Sequence, residues 1–149
     1  MKTKILFPAL LASAALFSGV VGAQTPGSGA QAPGDAVSPN FSHAITNIPG
    51  KSLIAVEVSY PPGGASQPHT HAKSAFIYAY VVSGAIESQV GDAPAHVYTA
   101  GQAFYEEPGA HHRISRNASK TEPAKLLAVF VVDTSDTALT TPQEPAKGQ

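Results

Sequence analysis

The chain of 149 residues contains no cysteine and no tryptophan, and it has a single methionine. The lack of cysteine excludes disulfide bonds and thiolate ligands, so a metal ion has only histidine, carboxylate or water to bind it. Charged residues make up only 13% of the sequence, and the formal net charge is −1. Such a chain has no basic stripe for a phosphate backbone, which argues against a nucleic acid as partner.

The first 23 residues have the pattern of a secretory signal peptide. Lys2 and Lys4 form a basic start, the following run to Val21 is apolar, and Val21-Gly22-Ala23 fits the small-residue rule for cleavage. A membrane anchor is the alternative, but the run contains a proline and lies at the short end of the spanning range. We therefore expect a periplasmic or secreted protein that makes no membrane contact after cleavage. Its formal net charge would be −3, because cleavage removes two lysines and no acid.

Composition divides the mature chain into three parts. Residues 24–40 are rich in glycine, proline, serine and alanine and lack periodicity, which predicts a flexible leader. Residues 134–149 are similar and are interpreted as a disordered tail. Residues 41–133 are expected to form a single folded domain.

Short strands separated by turn residues are the dominant pattern of this domain, and no segment predicts a convincing amphipathic helix. Apolar alternation, β-branched residues and flanking glycines predict strands over 53–60, 76–82, 85–90, 95–99, 103–106, 112–116 and 126–132. Such a series is typical of an all-β sandwich or small barrel. The continuously apolar segment 126–132 predicts a strand covered on both faces. Together with the exposed edges of a small barrel, it suggests a homodimer.

Four of the six histidines fall in two short segments of the chain. His69 and His71 are two residues apart, so on a strand their side chains point to the same face. His111 and His112 are adjacent and therefore face opposite ways, so only one of them can join that pair. Three imidazoles on one face would form a metal site. The isolated His43 and His96 are interpreted as surface residues.

The spacing around these histidines resembles the two motifs of the cupin family. Gly63-Gly64-Ala65-Ser66-Gln67-Pro68-His69-Thr70-His71 is similar to the first motif, which Gly84 would close. The segment Gly101-Gln102-Ala103-Phe104-Tyr105-Glu106-Glu107-Pro108-Gly109-Ala110-His111-His112 is similar to the second. The resemblance implies a small antiparallel jelly-roll β-barrel that binds one divalent metal ion. It further implies that His69, His71 and His112 are the ligands and that His111 lies outside the site.

The chain departs from the family pattern at the acid of the first motif. The positions where that glutamate is expected carry apolar residues instead: Ala75, Phe76 and, counting back from Gly84, Ile77. Four other acids are candidate substitutes: Glu57, Glu87, Glu106 and Glu107. We favour Glu106, as a partner of the ligands rather than a ligand. Asn117 lies one position beyond the motif's asparagine. It also opens an Asn-Ala-Ser glycosylation sequon, which carries little meaning in a bacterial export context.

Two classes of function compete on these observations. In the first, the protein is a metal-dependent oxygenase, isomerase or related enzyme acting on a small anionic molecule. Three neutral imidazoles leave the metal charge uncompensated, and Glu106 or a tyrosine would transfer protons. In the second, it is a non-catalytic module that binds or senses a small ligand or a metal. A metal-free structural barrel is a third possibility. The metal itself, whether Fe, Mn, Zn or Ni, is left open.

Overall fold

The computed structural model describes residues 33–143, so the expected signal peptide, residues 24–32 of the predicted leader and residues 144–149 of the predicted tail lie outside the described residues. Within this range the chain forms ten β-strands. No helix in the described part of the chain has the length and hydrophobicity needed to span a membrane. The strands are β1 (Ala36–Ala44), β2 (Lys51–Tyr60), β3 (His69–His71), β4 (Phe76–Ser83), β5 (Ala85–Val90), β6 (His96–Thr99), β7 (Ala103–Glu106), β8 (His111–Asn117), β9 (Ala124–Asp133) and β10 (Thr140–Pro142).

The strands form two five-stranded sheets in which every pairing is antiparallel. Sheet I has the order β1-β2-β9-β4-β7, and sheet II has the order β10-β3-β8-β5-β6. The inner faces of the two sheets pack together, since Ile86 of β5 shares a core cluster with Val58 of β2 and Val81 of β4. The predicted all-β, antiparallel jelly-roll architecture is confirmed.

Period-two alternation explains which side chains form the core. In β9, Leu126, Ala128, Phe130 and Val132 face the interior and are buried, and the three residues between them are half-buried. β9 is a central strand between β2 and β4. The apolar residues on its other side therefore lie in the middle of the outer face of sheet I. This arrangement accounts for the continuous apolar run, because both faces of the strand are at least partly covered.

Paired strands extend past the expected domain limits of 41 and 133 at both ends. β1 begins within the predicted leader and pairs with β2 along its whole length. β10 lies within the predicted tail and pairs with β3, the strand that carries the first two histidines of the site. Both strands lie at the edge of a sheet and are exposed along their length. Val37 and Phe41 are the only large hydrophobic side chains of β1, and β10 has none, so neither strand carries the longer apolar alternation from which strands are predicted.

Gly84 separates β4 from β5 at a position that only glycine fits. Its φ is +71°, a left-handed conformation that side chains disfavour. A Cβ atom there would lie 2.7 Å from the carbonyl oxygen of Pro123 and 2.8 Å from the Cβ of Ala124. This close approach lets β4 cross from sheet I to β5 of sheet II, which matches the expected role of Gly84 in closing the first motif.

Candidate metal centre

Three histidines from two neighbouring strands converge on the inner face of sheet II. β3 and β8 pair so that His69 lies directly opposite His112, and His71 follows on the same face of β3. One nitrogen from each ring lies within 4.8 Å of the other two. Donors of one metal ion are about 3–4 Å apart, because each lies about 2 Å from the ion, so the three nitrogens are close to the separations that a shared ion requires. The convergence predicted from the sequence is confirmed.

Two of the rings are oriented by hydrogen bonds on the side facing away from the cluster. The Nδ1–H of His69 donates to the carbonyl oxygen of Gln67 at 2.8 Å, which leaves Nε2 as the free donor atom. Burial lowers the pKa of His69 and so favours the neutral, ligating form, although the bond to Gln67 opposes this shift. The Nε2 of His112 is hydrogen-bonded to the hydroxyl of Ser88 at 2.9 Å. Such contacts hold metal-ligating imidazoles in place.

Glu106, the last residue of β7, places its carboxylate beside the histidine cluster. Only 3% of its surface is exposed. One carboxylate oxygen lies 3.0 Å from Nε2 of His71, and the other lies 3.2 Å from Nδ1 of His112. Burial alone would raise the pKa of Glu106, but the contacts with His112 and His71 outweigh it and lower the pKa to about 2. A buried carboxylate therefore faces two of the three imidazoles in its charged form.

Several polar atoms in this cluster have no hydrogen-bond partner although they are buried. They are both ring nitrogens of His71 and the Oε2 atom of Glu106. Leaving buried polar atoms unpaired is costly, and most proteins avoid it. Neutral imidazole and carboxylate are common ligands of divalent transition metals. The donor set and its unpartnered atoms fit a bound metal ion.

The cluster lies at the floor of a pocket of about 440 Å³. One wall is apolar and comes from β2 and β9, with Val56, Val58, Leu126 and Ala128. Further lining residues come from segments that the sequence placed outside the domain: Asp35, Val37, Leu139, Thr140 and Pro142. The predicted leader and tail thus contribute walls of the pocket.

A hydrogen-bonded chain of hydroxyl groups lies along another wall of the pocket. The hydroxyl of Tyr60 is 2.7 Å from that of Ser115 and 2.8 Å from that of Ser66, which in turn donates to Asp35 at 2.6 Å. Burial raises the pKa of Tyr60, so its hydroxyl stays protonated. The sequence did not predict this series of hydroxyl groups, because the alternation along β2 indicated only that Tyr60 shares a face with Val58.

The remaining candidate residues lie away from the site. His43, His96 and His111 are exposed, in agreement with their interpretation as residues outside the metal site. Of the four candidate acids, only Glu106 contacts the histidines. The others are on the surface: Glu57 pairs with Lys125 and Glu87 with Arg116, each at 2.7 Å, and Glu107 is exposed.

The fold and the three inward-facing histidines together define the class of this protein: a small jelly-roll β-protein with a candidate metal site. The model of the cupin domain matches residues 56–130, about half of the chain, and these residues include all three histidines. The chain therefore belongs to the cupin family. A search of curated proteins finds no significant match.

Solved structures show the same fold. The chain is similar to TT1209 from Thermus thermophilus, with 26% identity, a TM-score of 0.53, and coverage of 66% of this chain and 83% of that one. It is also similar to a conserved double-stranded β-helix protein from Klebsiella pneumoniae, with 19% identity, a TM-score of 0.59, and coverage of 81% and 90%. An oxalate oxidase bound to glycolate matches with 24% identity and a TM-score of 0.53, over 71% of this chain and 55% of its own length.

Proposed function

We propose that this protein is an exported small cupin that binds one divalent metal ion through His69, His71 and His112 and acts on a small anionic molecule held at that metal. The observation that carries this proposal is the convergence of three ring nitrogens within 4.8 Å at the floor of a pocket. The pocket volume of about 440 Å³ falls in the range of small-molecule sites.

The pocket supports a ligand with one anionic end and an apolar body. No lysine or arginine is among the described residues that line it, so a metal ion would be its main positive charge. An anionic group would bind there, and the apolar part would pack against Val56, Val58 and Leu126. When bound, the metal supplies Lewis-acid polarisation of an oxygen donor from the ligand. The protonated hydroxyl of Tyr60 would donate a hydrogen bond or a proton to the same ligand.

Metal content tests the binding part of the proposal. We expect about one divalent ion per chain in protein isolated from its native host, and loss of that ion in the double variant His69→Ala/His71→Ala. His96→Ala is the matched control, because His96 is exposed and outside the cluster. Circular dichroism checks that each variant is folded. Equal metal content in the wild type and the double variant would refute the ligand assignment.

Turnover tests the catalytic part separately. Bound iron or manganese together with oxygen uptake, or conversion of a small carboxylate, phenolate or diketone, would support an enzyme. A redox-inert metal without turnover of such compounds would leave a binding or sensing module. In either case the pocket ligand should protect the protein against thermal unfolding, since a ligand that binds only the folded state stabilises it.

Export is proposed from the sequence alone. The basic start, apolar run and small-residue cleavage site of residues 2–23 support it. Expression with the first 23 residues in a bacterial host should yield periplasmic protein whose mass corresponds to a chain starting at Gln24. Cytoplasmic, uncleaved protein would contradict this part of the proposal.

We also propose that two copies associate through the outer face of sheet I. Four large side chains are exposed there: Phe41, Phe76, Tyr78 and Tyr105, by 52%, 40%, 47% and 61%. The rings of Phe76 and Tyr105 stack at 5.9 Å. An exposed apolar patch of this kind is typical of an interaction surface. Light scattering should give the mass of a dimer for the wild type and that of a monomer for Tyr78→Arg. A monomeric wild type at high concentration would remove the proposal.

A further inference from the structure

We propose that Glu106 is a fourth protein ligand of the metal, supplied by β7 in place of the acid that is missing after His71. This inference rests on the metal site proposed above. It concerns which side chains complete that site.

The position of the carboxylate is the first observation. It lies between two of the three rings, 3.0 Å from Nε2 of His71 and 3.2 Å from Nδ1 of His112. Two donors that share a metal ion in neighbouring coordination positions are about 3 Å apart, because each lies about 2 Å from the ion. The separations fit neighbouring ligands.

The second observation is that the closest of these contacts, at 3.0 Å, does not have the geometry of a hydrogen bond. Nε2 of His71 and Oε2 of Glu106 are both buried, and neither has a hydrogen-bond partner. A carboxylate that only oriented the ring of His71 would accept a hydrogen bond from it. A ring nitrogen and a carboxylate oxygen that are buried 3.0 Å apart without hydrogen-bond geometry have the placement expected of two ligand atoms of one cation.

The topology of sheet I explains how β7 takes over the missing position. Of the three positions where the first motif would carry its acid, Phe76 is on the outer face, whereas Ala75 and Ile77 are fully buried. Ile77 is paired directly with Glu106 on the neighbouring strand. Side chains directly opposite in an antiparallel pair share a face and have Cβ atoms about 5 Å apart. The carboxylate is thus displaced by one strand but stays on the same face of the sheet.

A fourth ligand of this kind changes the charge of the site. Three neutral imidazoles leave a divalent ion with its full charge, whereas the carboxylate of Glu106 cancels one unit of it. The bound metal would then have a net charge of about +1, which weakens its attraction for an anionic pocket ligand. The inference therefore predicts moderate rather than very tight anion binding.

The experiment measures binding of Co²⁺ to the purified metal-free protein by competition with a chelator, and records the visible spectrum of the Co²⁺ form. The variant is Glu106→Gln, which keeps the size of the side chain. Glu107→Gln is the matched control, because the neighbouring carboxylate is exposed. Loss of an orienting partner costs about 10- to 100-fold in affinity, so loss of a ligand should cost more than about 100-fold. We expect that larger loss together with a changed Co²⁺ spectrum, and no change for the control.

A loss of less than about 100-fold with an unchanged spectrum would overturn the inference and leave Glu106 as an orienting partner. If the wild type itself does not bind Co²⁺, the proposed function fails, and this outcome is distinct from the first. Circular dichroism of the metal-free forms shows whether Glu106→Gln is folded. Should it not fold, Glu106→Asp keeps the charge but withdraws the oxygens by one carbon. It should then bind Co²⁺ more weakly than the wild type and change the visible spectrum of the Co²⁺ form, and an unchanged spectrum would overturn the inference.

Discussion

Replacing Asn117 should destabilise the fold strongly, although this residue is not part of the metal centre or of its pocket. Asn117 is 5% exposed and ends β8. Its side-chain amide donates to the carbonyl oxygens of Pro61 at 3.1 Å and Glu122 at 2.7 Å, and its oxygen accepts from the backbone N–H of Ser119 at 2.9 Å. One side chain therefore joins the loop after β2 to the connection between β8 and β9.

The magnitude follows from these three bonds. A net contribution of about 1 kcal/mol for each gives about 3 kcal/mol for Asn117→Ala. Asn117→Asp should be worse at neutral pH, because a charged carboxylate would face two carbonyl oxygens with no proton to donate. We expect it to cost about 1–2 kcal/mol more than the alanine variant.

Urea unfolding of metal-free protein measures both variants without a contribution from metal binding. A loss of about 3 kcal/mol corresponds to a decrease of about 1–3 M in the unfolding midpoint. Asn47→Ala is the control, because Asn47 is exposed in the turn between β1 and β2. The reasoning is refuted if Asn117→Ala unfolds at the same midpoint as Asn47→Ala, or if Asn117→Asp is the more stable of the two Asn117 variants. Because the amide of Asn117 is buried and hydrogen-bonded, the folded protein does not present this sequon at its surface.

Three further predictions concern the site and the turn that precedes β5. Ser88→Ala removes the hydrogen bond that orients the imidazole of His112, so metal affinity measured by chelator competition should fall about 10- to 100-fold. The control Ser83→Ala changes an exposed serine and should leave the metal affinity unchanged. The pKa of Glu106 is lowered from 4.5 to about 2, so its charged form stabilises the folded metal-free protein by about 3 kcal/mol above about pH 4.5. This contribution to the free energy of unfolding is lost as the pH falls towards 2. Urea midpoints of the wild type should therefore fall more steeply than those of Glu106→Gln in this interval, and parallel curves would contradict the assignment. Gly84→Ala should lower the free energy of unfolding by about 2 kcal/mol or more, because the backbone there is left-handed and the new Cβ would meet the carbonyl oxygen of Pro123. The melting temperature should therefore fall. In the control Gly34→Ala the new Cβ meets no atom within 4 Å, so the melting temperature should not change.

Several features of this protein follow from short-range patterns in the chain. Apolar alternation, β-branched residues and flanking turn residues predict seven of the ten strands. On a strand, successive side chains point to opposite faces. This two-residue repeat predicts that the rings of His69 and His71 share one face. The spacing of Gly, Pro and His in the two motifs predicts the third ring, because the resemblance implies a known topology. These inferences need only local geometry or a familiar motif.

Other features depend on which strands become neighbours, and local patterns carry no information about that. The sequence favours Glu106 among four candidate acids. Only the pairing of β7 with β4, which sets Glu106 opposite Ile77, brings its carboxylate to the histidine cluster. The strands β1 and β10 have few large hydrophobic side chains, namely Val37 and Phe41 in β1 and none in β10. They are held by hydrogen bonds to β2 and β3, so segments that resemble a leader and a tail become walls of the pocket. Backbone pairing at a sheet edge requires no particular side chains, which is why composition alone did not indicate it.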